Sequence, residues 1–162
     1  MAGGAPWDRF QALPVRTRGR ALVAMQFSLL GFIALMNLVS WTWRATIPLA
    51  LVLIALGVAV GAWALWSNRP GNFNIVPDPR QGAQLVQHGA YRWMRHPMYT
   101  ALMIGAAGLV AASGSFWAGV AWIVLVGVLG NKAELEEALM SEAHADYAAY
   151  AERTRRFLPG IV

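Results

Sequence analysis

The stretch "HPMYTALMIGAAGLVAASGSFWAGVAWIVLVGVLGNKAELEE", residues 96–137, carries no charged side chain between Pro97 and Gly130 and is broken only by "SGS". About 20 apolar residues are needed to cross a hydrocarbon core of about 30 Å. The two arms, Pro97–Ser113 and Phe116–Gly130, are short for that on their own. The second gains length by running on into "NKAELEE" as one helix. With so short a turn the arms form a tight helical hairpin, so their outer ends, Arg95-His96 and Lys132–Glu137, become neighbours. Two further apolar runs, Ala21–Val39 and Ile47–Trp66, precede it. The expected fold is all-α: one polytopic membrane domain over residues 1–162, with four transmembrane helices at about 21–39, 47–66, 97–113 and 116–130.

Composition agrees. Hydrophobic residues make up 57% of the 162 and charged residues 13%, about half the charge of a soluble domain. The chain has no cysteine, which excludes disulfides, thiolate metal sites and a cysteine nucleophile. No phosphate-binding glycine loop, dinucleotide fingerprint or metal-ligand spacing is present. Arginines precede the first run, but it ends in "NLVSWTW" rather than small residues before a cleavage site, so it reads as a span and not a signal peptide.

Four spans place twelve of the thirteen Lys and Arg residues on one side, with Arg44 alone on the other. The positive-inside rule makes the rich side cytoplasmic. The +5 net charge is then explained by topology and anionic lipid headgroups, without nucleic acid. Trp41, Trp43 and Trp117 fall at the far interface and Trp63, Trp66 and Trp93 at the near one. Gln26 and Asn37 inside the first span read as interhelical hydrogen-bonders. "GVAVG", Gly57–Gly61, has the small-residue spacing of close helix packing, read here as packing within one chain, with no oligomer indicated.

The expected cytoplasmic face has two parts. Ser67–His96 is a long loop, punctuated by three prolines and three glycines and long enough to demand a purpose. After the fourth span, "NKAELEEALMSEAHADYAAYAERTRRF" reads as an amphipathic helix with Leu135, Leu139, Ala143 and Tyr147 on one stripe. Lys132 and Glu136 are four apart and share a face. Arg95 and His96 suit a carboxylate through charge-assisted hydrogen bonds, while Glu136 or Glu137 suits an ammonium or a ribose hydroxyl. Arg92 reads as a plain anchor, Glu134 and Glu142 as solvated, and His88 and His144 as bystanders.

These residues carry a resemblance. "GAYRWMRHPMY", "EEALM" and "YAAYAERTRRFLP" resemble the superfamily of isoprenylcysteine carboxyl methyltransferases and phospholipid methyltransferases. Gly89, Tyr91, Arg95, His96, Pro97 and Tyr99 match its first element, Glu136 and Glu137 the second, and Tyr147, Tyr150, Arg156, Phe157, Leu158 and Pro159 the third. The resemblance covers roughly residues 72–160. It implies S-adenosylmethionine in a cytoplasm-facing pocket and a lipophilic acceptor, free or lipid-anchored, entering from the bilayer. The cofactor contacts it implies are Leu85, Gln87, Gly89, Tyr91, Arg95, His96, Pro97, Tyr99, Glu136 and Glu137, with the pocket drawn from 85–99 and 132–157. Lys132 and Glu136 become the catalytic pair, as counter-ion for an anionic acceptor and as base for an amine or thiol. The chain departs from the pattern at His144-Ala145, where the family has Phe-Gly, and at Ala90, where it has proline. Within the resemblance the isoprenylcysteine carboxyl branch is the expected one, with a phospholipid amine or a small thiol as the alternative acceptor. Sterol reductases of related architecture share the Arg-His-Pro-x-Tyr element, but they are much longer and carry asparagine where Met98 stands. A non-catalytic scaffold would leave so many ionisable groups at one lip without a purpose.

Overall fold

The computed structural model describes residues 6–40, 46–68 and 84–158. Six α-helices follow in chain order among them: α1 (Pro6–Gln11), α2 (Val15–Val39), α3 (Ile47–Ser67), α4 (Pro97–Ser113), α5 (Phe116–Ala143) and α6 (Tyr147–Arg153), with a 3-10 turn over Gly89–Arg92 before α4. The described residues hold no strand, and the chain is an all-α polytopic membrane protein. Three helices, α2, α3 and α5, are long and apolar enough to cross a membrane, and α4 is a shorter apolar helix. The spans coincide with the apolar runs, but α2 and α5 continue past them as helix. They thereby lift Arg16, Arg18 and Arg20, and Lys132 through Glu142, on rigid extensions at the same end of the bundle.

The hairpin turn is made by "SGS". Gly114 stops α4 in the left-handed region at φ 57°, where a side chain is disfavoured. The Ser113 hydroxyl accepts from the Ser115 amide at 3.2 Å. Ser115 then caps α5 by accepting from the Ala118 amide. The two arms are not each other's main neighbours, however: α4 lies chiefly along α3, and α5 chiefly along α2. The α3–α4 contact is made close by small residues. A Cβ on Gly57 would meet the Gly105 nitrogen at 2.8 Å and the Ala101 carbonyl at 2.9 Å, so the backbones touch where "GVAVG" anticipates packing within the chain. Between α2, α4 and α5 sits the core, with Ile33, Ala106, Ala121, Leu125 and Leu129 buried together.

Three polar side chains inside the bundle bond across to a neighbouring helix. The Asn37 amide donates to the Leu109 carbonyl at 2.8 Å, Trp122 Nε1 to the Met103 carbonyl at 2.8 Å, and Lys132 Nζ to Gln26 Oε1 at 3.1 Å. In hydrocarbon a donor without an acceptor is costly, so each bond also fixes helix register. The outward surface is apolar, and Trp66, Trp93 and Trp117 stand exposed near helix ends, as interfacial belts require. Trp41, Trp43, Arg44, Pro159 and the loop from 69 to 83 lie outside the described residues.

One expectation needs correction. The segment after the fourth span is not a single amphipathic helix. It ends at Ala143, runs extended at His144 (φ −132°, ψ 113°), and restarts at Tyr147. The break takes Tyr147 off the Leu135–Leu139–Ala143 stripe. Its cause is tertiary: Gln87 Nε2 donates to Asp146 at 2.9 Å, and Tyr147 and Tyr150 turn inward and are buried.

Candidate active site

At the end of the bundle where α4 begins and α5 projects, a chain of polar contacts joins three separate segments. Pro97 fills the first position of α4 and is fully buried. Proline is tolerated there because that N–H lacks a helical partner anyway. His96 holds the N-cap position, yet its ring makes no capping bond. The ring instead reaches across to α5. Its Nε2 lies 3.1 Å from Glu137 Oε1 and its Nδ1 3.5 Å from Glu136 Oε2. The Tyr99 ring stacks parallel on it at 5.3 Å, and the Tyr99 hydroxyl donates to Glu136. Burial is the largest single influence on His96 and disfavours its charge. The hydrogen bonds and charges of Glu136 and Glu137 outweigh it, so the pKa of His96 is raised above its ordinary value.

Glu137 is enclosed by donors. Arg95 Nε binds it at 2.8 Å and Arg156 Nη2 at 2.9 Å, in addition to His96. The Arg95 guanidinium also donates to the carbonyls of Ala151, at 3.0 Å, and Thr154, at 2.6 Å. The main chain completes the clasp. The Arg95 amide donates to the Arg155 carbonyl at 2.8 Å and the His96 amide to the Arg156 carbonyl at 3.0 Å, while Thr100 Oγ1 donates to the Phe157 carbonyl at 2.9 Å. A tail with no regular structure of its own is thus laid along the start of α4, its bridge pairing Met94 with Arg155.

The 3-10 turn forms the other flank. Gly89 has φ +59°, and a Cβ there would stand 2.1 Å from the Ser67 hydroxyl, so only glycine fits. That hydroxyl accepts from the Ala90 amide at 3.0 Å and ties the turn to the end of α3. Tyr91 is held neutral: burial, against a lowering hydrogen bond to Asn68 and with the Glu136 charge adding, raises its pKa to about 12. The Tyr91 carbonyl accepts from the Tyr150 hydroxyl at 2.8 Å. Gln87 bridges Asp146 and Arg153, and Leu85 is half-buried in the irregular stretch before it.

Of the residues singled out in the sequence, His96, Tyr99, Glu136 and Lys132 form one connected group. Lys132 is only 3% exposed, and its ammonium lies 5.0 Å from the centre of the Tyr99 ring. Arg95 and Glu137 stand beside this group but face the tail. Gly89 and Tyr91 build the turn, and Gln87 reaches the α6 end through Asp146 and Arg153. Sequence reasoning missed Thr100, whose hydroxyl donates to the Phe157 carbonyl in the tail, Thr154, whose hydroxyl donates back to the Tyr150 carbonyl in α6, and the Gln87–Asp146–Arg153 bridge. Nothing in their spacing announces these. His144, read as a bystander, has a buried Nε2 with no hydrogen-bond partner among the described residues.

A family model for phospholipid methyltransferase matches residues 43–146. The match takes in α3, the turn, the hairpin and the Lys132–Glu137 face, and stops before the tail and α6. The cobalt-zinc-cadmium resistance protein CzcN of Cupriavidus metallidurans is 32% identical over 123 residues, covering 74% of this chain and 53% of that relative. The chain therefore spans about half the length of this curated relative. With most of the chain matched, including the hairpin that brings the ionisable cluster together, the protein belongs to the phospholipid methyltransferase family.

Proposed function

We propose that this protein is an integral membrane methyltransferase that transfers the methyl group of S-adenosylmethionine to a lipophilic acceptor arriving from the bilayer. The end of the bundle carrying the cluster then faces the cytoplasm. The observation that carries this reading is the connected set His96–Tyr99–Glu136–Lys132, at the lip of an apolar bundle, inside the family-matched region.

S-adenosylmethionine presents an ammonium, a carboxylate, ribose hydroxyls and an aromatic base. The donor set fits these groups: Glu136 and a cationic His96 at one end, and at the α5–α6 break a buried His144 nitrogen that lacks a partner among the described residues. His96, Tyr99 and Glu136 would hold the amino-acid end, with Arg95, Pro97 and Glu137 as the wall behind them. Tyr91, Gly89, Gln87 and Leu85 would close over the nucleoside. The bound cofactor supplies a methyl group already activated by its sulfonium. What is left to the protein is alignment and the exclusion of water. Here Tyr99 serves both ends, since its hydroxyl fixes Glu136 and its ring faces Lys132.

For the acceptor we favour a carboxylate on a prenylated thiol. Lys132 is buried, and no carboxylate among the described residues lies within ion-pair distance of it. An anionic acceptor would supply that partner and accept a methyl group without first losing a proton. A phospholipid amine, or a thiol, is the second reading. It is favoured by Glu136, one helical turn from Lys132 and able to take the acceptor's proton.

The test is to incubate the protein in its membranes with methyl-labelled S-adenosylmethionine, extract the lipids and treat them with mild alkali. Label is expected in the lipid fraction and should be released as methanol, as a methyl ester requires. Alkali-stable label moves the acceptor to an amine or thiol, and no transfer at all sinks the methyltransferase reading.

A further inference from the structure

The tail that closes the lip also has an outer side. Arg95 and Arg156 turn inward onto Glu137, and Arg153 binds Gln87. Arg92 and Arg155 are exposed, and neither pairs with a carboxylate among the described residues. The backbone brings their two stretches together, because Met94 bridges to Arg155 and the Arg155 amide donates to the Trp93 carbonyl at 3.4 Å. Trp93 and Leu158, in the same two stretches, are 54% and 40% exposed. Depth tells what surrounds this patch. The 17 residues of α4 make about 25 Å of helix, less than a hydrocarbon core of about 30 Å. Residues 92–96, just ahead of Pro97, therefore lie at headgroup level. The tail descends further. The Thr100 hydroxyl donates to the Phe157 carbonyl, one turn deeper than Pro97, which takes Leu158 to the edge of the hydrocarbon. Unpaired guanidiniums at headgroup depth, with tryptophan and leucine beside them, match lipid phosphates above and acyl chains beneath.

We propose that Arg92 and Arg155 dock the headgroups of anionic phospholipids, and that a leaflet bound there holds the tail down along α4, so that membrane charge sets how often the lip is assembled. The coupling is direct, since Arg155 offers its side chain to the lipid while its carbonyl accepts from the Arg95 amide. It needs no methyl transfer, so it stands or falls apart from the activity proposed above. The test places the full chain in vesicles of phosphatidylcholine alone, or of phosphatidylcholine and phosphatidylglycerol in equal parts. Hydrogen exchange is followed at the Arg95 and His96 amides, whose acceptors lie in the tail and which therefore open when it lifts. Rates are taken relative to other interfacial amides, which cancels the lower pH at an anionic surface. One arginine beside an anionic leaflet shifts such an opening by about fivefold. Exchange should thus be roughly five- to twentyfold slower in the anionic vesicles, and the difference should shrink in high salt. Arg92→Gln combined with Arg155→Gln should abolish that difference, whereas lysine at both positions should keep it. A merely structural role would change exchange equally in both lipids, and a plain topological anchor would not change it at all. Inorganic phosphate added to the neutral vesicles should leave the rates as they were. Wild-type exchange that ignores lipid charge, a difference that survives the double glutamine variant, or slowing by phosphate alone overturns the proposal.

Discussion

His96 is held by charge on both sides, Glu137 at one nitrogen and Glu136 at the other, with Tyr99 stacked on its ring and Phe157 tilted beside it. Its pKa is raised because these carboxylates outweigh the opposing effect of burial. The sign of the linkage follows. The stabilisation is fully present below the ordinary histidine value of about 6.5 and is lost as pH rises through the higher folded-state value. The melting temperature of the protein in detergent should therefore fall from mildly acidic to alkaline pH. His96→Gln should melt lower at the acidic end and show a flatter profile. A wild-type curve no steeper than that of the variant would remove the charged imidazole from the account. The sequence placed His96 beside these glutamates because a hairpin must return its ends to one another. It did not place Arg95. The spacing offers Arg95 to a ligand, whereas the fold turns it onto Glu137 and two tail carbonyls. Which cation binds the carboxylate and which faces the pocket depends on a tail whose path leaves no pattern in its residues.

Among the elements, α3 and α4 make the closest approach in the bundle. A Gly57→Ala change puts a methyl group 2.8–2.9 Å from backbone atoms of Ala101 and Gly105. Backbone cannot swing aside as a long side chain does, so the helices must separate. We expect a loss of about 1–3 kcal/mol, read as earlier thermal aggregation in detergent. Gly31→Ala on α2, where nothing lies within 4 Å, should be neutral or slightly stabilising, since alanine is the better helix former. Equal effects at both sites would mean that close packing is not what Gly57 supplies. Helix number and approximate limits were readable because hydrocarbon imposes length and apolarity on any span. The neighbour relations were not. Hairpin logic pairs α4 with α5, and only Gly57, Ala101 and Gly105 at close quarters reveal that α4 lies chiefly along α3. The kink after Ala143 was equally hidden: "AHAD" contains neither proline nor glycine, and the break follows from Asp146 meeting Gln87.

For the whole molecule, the two ends of the bundle differ in kind. One carries the short "SGS" turn with exposed Phe116 and Trp117, the other the ionisable cluster and the extensions of α2 and α5. With the cluster end in the cytoplasm, cysteines introduced singly at Phe116 and Ser141 into this cysteine-free chain should react with a membrane-impermeant reagent from opposite sides. Labelling of both from one side would refute the hairpin as a membrane-crossing pair. The tail adds a consequence for biogenesis. Residues 154–157 are synthesised after α2 to α5, yet they hold acceptors for the Arg95 and His96 amides and for the Arg95 guanidinium. A nascent chain inserted through α5 therefore has its helices but not its lip, and donors there remain wet. Those residues must be in place before the cluster can close, so a product truncated before Thr154 would keep its helices without the clasp on Arg95 and His96.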